Sequence, residues 1–279
     1  MAQSTHRKKT PVLSLIIVLL GCVCVLVPIY WMVVTSFKPG TETFRVPPTM
    51  WPANFTLDGY RNVITHYDFP VYFKNSLIVV VGSTFLTLLV STLAGYAASR
   101  YNFKGKGAFL GFVLVTQMFP SVIMLIPYFR ILRMYGLINT YLGLMIVYIS
   151  FQTPLCTWLM YSYFQTIPKE LDQAAAIDGL NHWGVFWRIN LPLSIPGLAS
   201  TAIYSFINSW NEFQFAMTLT SSESMKTVSV GIGEMLDDTN VLYNDMMAAC
   251  ILASIPLMIF FFFGQNLFFA GMTAGSVKE

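Results

Sequence analysis

Side chains that could do chemistry are concentrated in one polar stretch of an otherwise apolar chain. The stretch runs from Gln173 to Pro192, reads QAAAIDGLNHWGVFWRINLP, and follows the carboxylates of Glu170 and Asp172. Carboxylates in the first turn of a helix meet the positive end of its dipole, and alanine is the strongest helix former. A glycine such as Gly179 accepts the left-handed conformation that ends many helices. The pattern predicts a short water-facing helix that begins near Pro168 and ends at Gly179.

A second short helix is expected directly after the first. Asn181 can cap a helix from His182 to about Asn190, because its side chain accepts a bond from the first turn. Four residues of the first helix share one face by the i, i+3, i+4, i+7 rule: Leu171, Ala174, Ala175 and Asp178. A small apolar face of this kind suits the groove of another protein. The residues alone leave open a plainer role, that of an interfacial helix connecting two membrane spans.

Groups arranged for catalysis are scarce. Enzymes of membranes, such as lipid or glycosyl transferases, use carboxylate pairs or clustered histidines. The only adjacent acidic pair is Asp237-Asp238, which has no histidine near it in sequence. The four cysteines lie in apolar segments without metal-ligand spacing: Cys22, Cys24, Cys156 and Cys250. We therefore expect no catalytic residue, no metal site and no cofactor held by this chain.

Long charge-free intervals determine the expected architecture. Only 10% of the residues are charged, against roughly 25% in soluble domains. Each interval exceeds the ~20 helical residues that cross a hydrocarbon core. Since backbone groups in lipid must pair within their own segment, we predict an all-α membrane protein with a single transmembrane domain over residues 1–279. Its six transmembrane helices are expected at about 12–35, 75–98, 108–129, 141–163, 192–216 and 246–270, with the polar loop 166–190 between the fourth and fifth.

Basic residues predict the orientation of these spans. Arg7 to Lys9 precede the first span and Arg100 to Lys106 follow the second, which places both segments in the cytoplasm. Both termini and the loop 166–190 are then cytoplasmic. The first apolar run continues past Cys22 to Val34, longer than the 7–15 residues of a secretion signal, so we expect neither a cleaved signal nor a lipoprotein leader. The net charge of +3 does not suggest nucleic acid as a partner.

The polar loop carries the spacing of a known motif. Gln173-Ala174-Ala175, three residues, Gly179, nine residues and Ile189-Asn190-Leu191-Pro192 resemble the EAA loop of ATP-binding-cassette (ABC) importer permeases. That motif reads Glu-Ala-Ala, x3, Gly, x9, Ile-x-Leu-Pro, so only Gln173 departs from it. Other segments are similar to sugar permeases of the maltose and trehalose type: TSFKPGTE, YAASRYNFKGKG, MFPSVIMLIPYF, SFINSWNEF and GMTAGSVKE.

The resemblance implies that the loop is a coupling helix, docking in a separate ATPase subunit. The residues it assigns to coupling are Glu170, Asp172, Gln173, Ala174, Ala175, Asp178, Gly179, Ile189 and Pro192. Because the chain lacks the phosphate-loop sequence G-x-x-x-x-G-K-[ST], two partner ATPase subunits are expected to hold ATP and magnesium. Glu170 or Asp172 is expected to supply the charge that Gln173 lacks.

The resemblance also implies an assembly and a place in the cell. The expected partners are a homologous second permease, an extracytoplasmic sugar-binding protein and the lipid bilayer. The complex is expected in the cytoplasmic (inner) membrane of a bacterium or archaeon, where alternating access moves a mono- or oligosaccharide. Alternative cargoes are a polyol, a phosphorylated glycerol or a peptide.

The fifth predicted span holds the candidate substrate path. Its polar and aromatic residues are Ser205, Asn208, Trp210, Asn211 and Glu212. Polar side chains at membrane depth usually face the bundle interior or a water-filled path, and a sugar needs paired donors and acceptors beside an aromatic face. The alternative is that these groups only bond neighbouring helices, at ~0.6 kcal/mol per bond.

Overall fold

The computed structural model describes residues 12–236 and 241–274, and within these ranges it contains helices and loops but no strand. Asp237-Asp238 and Arg7 to Lys9 lie outside the described residues. In chain order the helices are α1 Val12–Ser36, α2 Gly40–Thr43, α3 Asp58–Thr65, α4 Phe69–Arg100, α5 Lys106–Thr116, α6 Ser121–Met134, α7 Tyr141–Thr166, α8 Glu170–Ile177, α9 His182–Val185, α10 Leu191–Leu193, α11 Ile195–Trp210, α12 Gln214–Leu219, α13 Val228–Glu234 and α14 Tyr243–Ala274. A π-helical turn covers Phe186–Asn190 and a 3-10 turn Glu223–Met225.

Four helices of the described residues are long and apolar enough to cross a membrane: α1, α4, α7 and α14. They match the predicted spans at 12–35, 75–98, 141–163 and 246–270. The all-helical membrane architecture is therefore confirmed, and four of the six predicted spans each contain one helix long enough to cross.

The predicted span at 108–129 is bent in the structure. Helices α5 and α6 meet at 99° across a short break, and counted as one broken span they make a fifth crossing. Pro120 lies at this break in an extended conformation, with φ −60° and ψ 128°. Proline cannot donate to the helical ladder and it restricts the residue before it, so the apolar run does not continue as one straight helix.

The predicted span at 192–216 is also divided. Its helix α11 has 16 residues and ends at Trp210, and α12 follows after a short turn. Upstream, helical structure runs from His182 to Trp210 with a break only at Ser194. The π-helical turn and this break lie beside Pro192 and Pro196, which remove two backbone donors. The second helix of the polar loop thus leads directly into α11.

The chain divides into two compact units. One comprises Met1–Tyr67 and Met235–Leu252, the other Asp68–Glu234 and Ala253–Glu279. In the first unit the Asn62 amide donates to Asp245 at 3.1 Å, and a Cβ at Gly59 would lie 2.9 Å from the carbonyl oxygen of Asn244. This glycine therefore permits a close backbone approach within that unit.

Helices α4 and α7 form the centre of the second unit. A Cβ at Gly95 of α4 would lie 2.8 Å from the Cβ of Met160 on α7. Small residues allow helices to approach closely in membranes, where packing rather than water drives association. Helix α4 also buries a series of hydroxyl and amide side chains: Asn75, Ser76, Ser83, Thr84, Thr87, Ser91, Thr92 and Ser99.

Candidate coupling surface and substrate path

The polar loop folds as its local signals predict. Helix α8 covers Glu170–Ile177, and Gly179 takes the left-handed conformation with φ +88°. The Asn181 side chain then accepts a bond of 2.8 Å from the backbone N–H of Gly184. The helix stop and the cap of the second helix are therefore confirmed.

Of the four residues predicted to face a partner, Leu171, Ala174 and Asp178 are exposed and Ala175 is buried. Ala175 is 5% exposed and packs inside the chain, whereas Ile177 is 86% exposed. Ala175 and Leu171, which is exposed, therefore do not offer one common docking face. The side open to a partner consists of Glu170, Leu171, Gln173, Ala174, Ile177 and Asp178.

Asp172 turns inward and is held by two side chains. Its Oδ2 lies 2.8 Å from Nε of Arg100, in an ion pair whose side chains are 21% and 5% exposed respectively. Its Oδ1 accepts a bond of 2.7 Å from the amide of Asn190. Of the two carboxylates expected to replace the charge missing at Gln173, only Glu170 is exposed and outside this ion pair.

Neither Arg100 nor Asn190 was predicted from the sequence as a coupling residue. The guanidinium of Arg100 donates to the carbonyls of Phe164 and Ile167 at 2.9 and 3.1 Å, and to Oδ1 of Asn190 at 2.8 Å. The available signal was the position of Arg100, the first charge after a long apolar interval. Nothing in the local pattern indicated its partners, which lie 64 to 90 residues away.

A cavity of about 530 Å³ opens beside α8, with Gln173 and His182 in its wall. The rings of Tyr101 and His182 meet edge to face, with centroids 5.9 Å apart. At the far end of the motif, Ile189 is half-buried and Pro192 is exposed.

Two of the candidate path residues are buried in contacts between helices. Ser205 is fully buried and donates to Oε1 of Gln152 on α7. Trp210 is 5% exposed, and its ring N–H donates to the Ala253 carbonyl at 3.1 Å. In α11 these side chains hold neighbouring helices together, as the alternative interpretation expects.

Glu212 is occupied by protein groups as well. Its Oε2 accepts from the hydroxyl of Tyr148 at 2.8 Å, and its two oxygens accept from the backbone N–H groups of Phe215 and Ala216 at 2.8 and 3.0 Å. The carboxylate therefore caps α12 and joins it to α7.

Asn208 and Asn211 differ from the other three because both are exposed. Their amide groups donate within α11, to the carbonyls of Tyr204 and Ile207 at 2.8 and 2.9 Å. The structure thus divides the candidate path into a buried or half-buried group and an exposed pair about one turn apart.

Two solved structures share the fold of this chain. A bacterial ABC transporter that imports the acidic polysaccharide alginate superposes with a TM-score of 0.79 at 22% identity, covering 91% of this chain and 95% of that one. A bacterial alginate ABC transporter in complex with its alginate pentasaccharide-bound periplasmic protein gives 0.68 at 18% identity over 91% and 93%. At these identities the likeness establishes the fold.

Sequence comparison identifies the family. Residues 87–274 match the family described as binding-protein-dependent transport system inner membrane component. The chain is 37% identical to the trehalose/maltose transport permease MalG of Thermococcus litoralis over 94% of both chains. It is 34% identical to the inner membrane ABC transporter permease YcjP of Escherichia coli over 91% of both. It is 33% identical to the arabinooligosaccharide permease AraQ of Halalkalibacterium halodurans over 98% of this chain and 99% of that one. The chain belongs to this family of permease components, and the resemblance inferred from the EAA spacing is confirmed.

Proposed function

We propose that this chain is a permease subunit of an ATP-driven importer that moves a mono- or oligosaccharide into the cell by alternating access. The observation that carries the proposal is the full-length similarity to a permease named for trehalose and maltose. Relatives named for arabinooligosaccharides and diacetylchitobiose support the same class of cargo. A relative named for sulfoquinovosyl glycerol adds glycosides of glycerol to the compounds worth testing.

The proposed topology has six membrane crossings with both termini in the cytoplasm. Four crossings are α1, α4, α7 and α14, and the remaining two are the bent pair α5–α6 and the divided segment around α11. Broken helices are tolerated at membrane depth where protein or water satisfies the freed backbone groups. The basic segments around α1 and α4 support a cytoplasmic α8.

In this proposal α8 is the coupling helix. Its open side presents Glu170, Gln173, Ala174, Ile177 and Asp178 to an ATPase subunit, and Glu170 supplies the charge that Gln173 lacks. Asp172 and Ala175 act from within the chain, because one is paired with Arg100 and the other is buried. Gly179, Ile189 and Pro192 set the turns that carry α8 back to α11. Transport should survive Gln173→Ala better than Gly179→Pro.

The proposed assembly contains two permeases, two ATPases and a binding protein. ATP and magnesium are held by the ATPase subunits, and sugar is delivered by the extracytoplasmic protein. To change the ratio of outward-facing to inward-facing transporters from 1:99 to 99:1, ATP binding must favour the outward-facing state by about 5.5 kcal/mol. Contacts at α8 are the proposed route for this free energy.

The proposed substrate path on this chain is the exposed pair Asn208 and Asn211. Each offers an amide oxygen to a sugar hydroxyl, because its amide hydrogens are partly used within α11. Ser205, Trp210 and Glu212 hold the helix that presents this pair.

The proposal is tested by reconstituting the chain with its co-encoded partners in liposomes. Uptake of labelled maltose, trehalose, arabinooligosaccharides, sulfoquinovosyl glycerol and short peptides is measured with and without ATP. ATP-dependent uptake of at least one saccharide supports the proposal, and ATP-dependent uptake of peptides alone contradicts it.

A further inference from the structure

We infer that Arg100 is a positioning residue for energy coupling, which makes α8 move together with the inner ends of three membrane helices. The inference rests on the proposed function, in which an ATPase pushes on α8. It assigns a role to a residue outside the EAA motif, at the last position of α4.

One guanidinium group donates hydrogen bonds to three acceptors and forms an ion pair with the carboxylate of Asp172, although its Nε–H makes no hydrogen bond within the described residues. Arginine has five N–H donors in a rigid planar fork. Here Nη1 donates to Phe164 O, Nη2 to Ile167 O and to Asn190 Oδ1, and Nε lies 2.8 Å from Asp172 Oδ2. The side chains of Arg100, Asp172 and Asn190 each contact the other two, because the Asn190 amide also donates to Asp172 at 2.7 Å.

These acceptors belong to different parts of the fold. Phe164 and Ile167 lie at the carboxyl end of α7, where the last carbonyls of a helix lack helical partners and attract a cation. Asp172 is in the first turn of α8, and Asn190 ends the π-helical turn that leads into α11. Arg100 itself ends α4. The ends of α4, α7 and the α11 segment are therefore all bonded to α8 through one side chain.

The Arg100 and Asn190 ends of these contacts are shielded from water, whereas Asp172 is 21% exposed and lines the cavity beside α8 together with Arg100. The Arg100 side chain is 5% exposed and Asn190 is fully buried. Removing one partner of a buried ion pair leaves an uncompensated charge, so the pair resists separation. When α8 is displaced, Asp172 carries Arg100 with it, and Arg100 carries the ends of α4 and α7. Without Arg100, α8 keeps its flanking turns, the packing of Ala175 and the bond from Asn190 to Asp172, but it loses its side-chain link to the ends of α4 and α7.

A merely structural role makes a different prediction. If Arg100 only stabilised the fold, its loss would lower the amount of assembled complex without changing the sugar moved per ATP hydrolysed. If Arg100 couples α8 to the spans, assembled complexes would hydrolyse ATP and move less sugar for each ATP. The ratio of uptake to hydrolysis therefore separates the two roles.

The experiment measures this ratio in liposomes containing the full complex. Arg100→Met and Arg100→Lys are compared with Lys104→Met, which removes the same charge from an exposed position shortly after α4. We expect Arg100→Met to lower sugar per ATP about tenfold, toward the upper end of effects seen for residues that carry coupling. Arg100→Lys, which keeps the charge and loses the fork, should fall between Arg100→Met and wild type, and Lys104→Met should match wild type.

An exchange of two partners covers the case in which Arg100 variants do not assemble. Asp172→Asn and Asn190→Asp each unbalance the charge around Arg100, and the double exchange restores one carboxylate and one amide within its reach. We expect both single variants to be uncoupled and the double variant to regain sugar uptake per ATP.

An unchanged ratio in the Arg100 variants, or a double variant no better than the singles, would overturn the inference. Absence of ATP-driven uptake in the wild type would instead remove the proposed function, and this inference with it.

Discussion

The hydroxyl of Tyr148 lies 2.8 Å from Oε2 of Glu212 and joins α7 to the turn between α11 and α12. The N–H groups of Phe215 and Ala216 bond the same carboxylate, so both of its oxygens accept bonds from the protein. A polar residue in a predicted substrate path can therefore serve to hold helices together.

The first prediction concerns the stability contributed by Glu212. Glu212→Ala removes the cap of α12 and leaves the buried Tyr148 hydroxyl without its acceptor, at a cost of about 1–3 kcal/mol. We expect a lower thermal unfolding midpoint of the purified complex and an unchanged KM for sugar in the complexes that remain folded. Tyr148→Phe should lose less, since it removes one bond and leaves no donor unpaired. The exposed Thr218→Ala on α12 is the control, and a raised KM in Glu212→Ala would contradict this assignment.

The second prediction concerns Asn208 and Asn211. If their exposed amides contact sugar, Asn208→Ala and Asn211→Ala should each raise the KM of uptake several-fold, since a lost hydrogen bond of about 0.5–1.5 kcal/mol corresponds to roughly 2- to 13-fold. Unfolding midpoints should stay near wild type, because both amides donate within their own helix. Asn102→Ala, an exposed asparagine after α4, is the matched control. Wild-type KM values in both α11 variants would rule out this pair as the path.

The third prediction compares two glycines of the same backbone conformation. Gly179 and Gly105 have φ +88° and +90°, and a Cβ at either would meet open space. Alanine at each position costs about 1–2 kcal/mol of left-handed strain, but only Gly179 shapes the coupling loop. We expect Gly179→Ala to lower uptake and ATPase stimulation by the binding protein, while Gly105→Ala leaves both near wild type. Equal losses in the two variants would show that strain alone is responsible.

The sequence predicted those features of the fold that depend on interactions between residues close together in the chain. The stop at Gly179, the cap at Asn181 and four of the long apolar helices follow from rules that act over a few residues. The family motif then pointed to the correct family, because its spacing survives the change to Gln173.

Contacts between distant segments could not be predicted in this way. Whether Ala175 faces the interior depends on which neighbours pack against α8, and the Arg100–Asp172 pair joins the end of α4 to α8. The charge-free run did not predict the bend after α5, because an uncharged run shows that a segment is apolar but not that it is straight. Pro120 was the available signal. A proline inside an apolar segment does not always break the helix in this chain, since Pro154 lies within the continuous α7.

The fourth prediction concerns pH and the loop after α1. Hydrogen bonds from the Thr49 hydroxyl and then the Ala53 N–H hold the pKa of Glu42 below its ordinary value. A carboxyl whose folded pKa lies below its unfolded value of about 4.3 stabilises the fold above that pH. The stabilisation is lost as the pH falls through the folded pKa.

We therefore expect Glu42→Gln to lower the thermal unfolding midpoint at pH 7 and to differ less from wild type near about pH 3, where both side chains approach neutrality. Asp178→Asn, at an exposed carboxylate that follows α8, serves as the control at both pH values. A difference between Glu42→Gln and wild type that stays constant with pH would show that the ionised carboxylate contributes nothing.

The most direct test determines from which side of the membrane a labelling reagent reaches α8, and whether a bound ATPase subunit blocks the reagent. Ile177→Cys, at a side chain that is 86% exposed, is made in a chain whose four native cysteines are changed to serine, and Ala175→Cys, at a side chain that is 5% exposed, is the buried control. A membrane-impermeant maleimide is applied to right-side-out and inside-out vesicles, with and without the ATPase subunits. We predict that the Ile177→Cys chain is labelled only in inside-out vesicles, that the bound ATPase protects it, and that the Ala175→Cys chain is labelled little. Labelling of the Ile177→Cys chain from the outside, or labelling that the ATPase does not reduce, would contradict the assignment of α8 as the coupling helix.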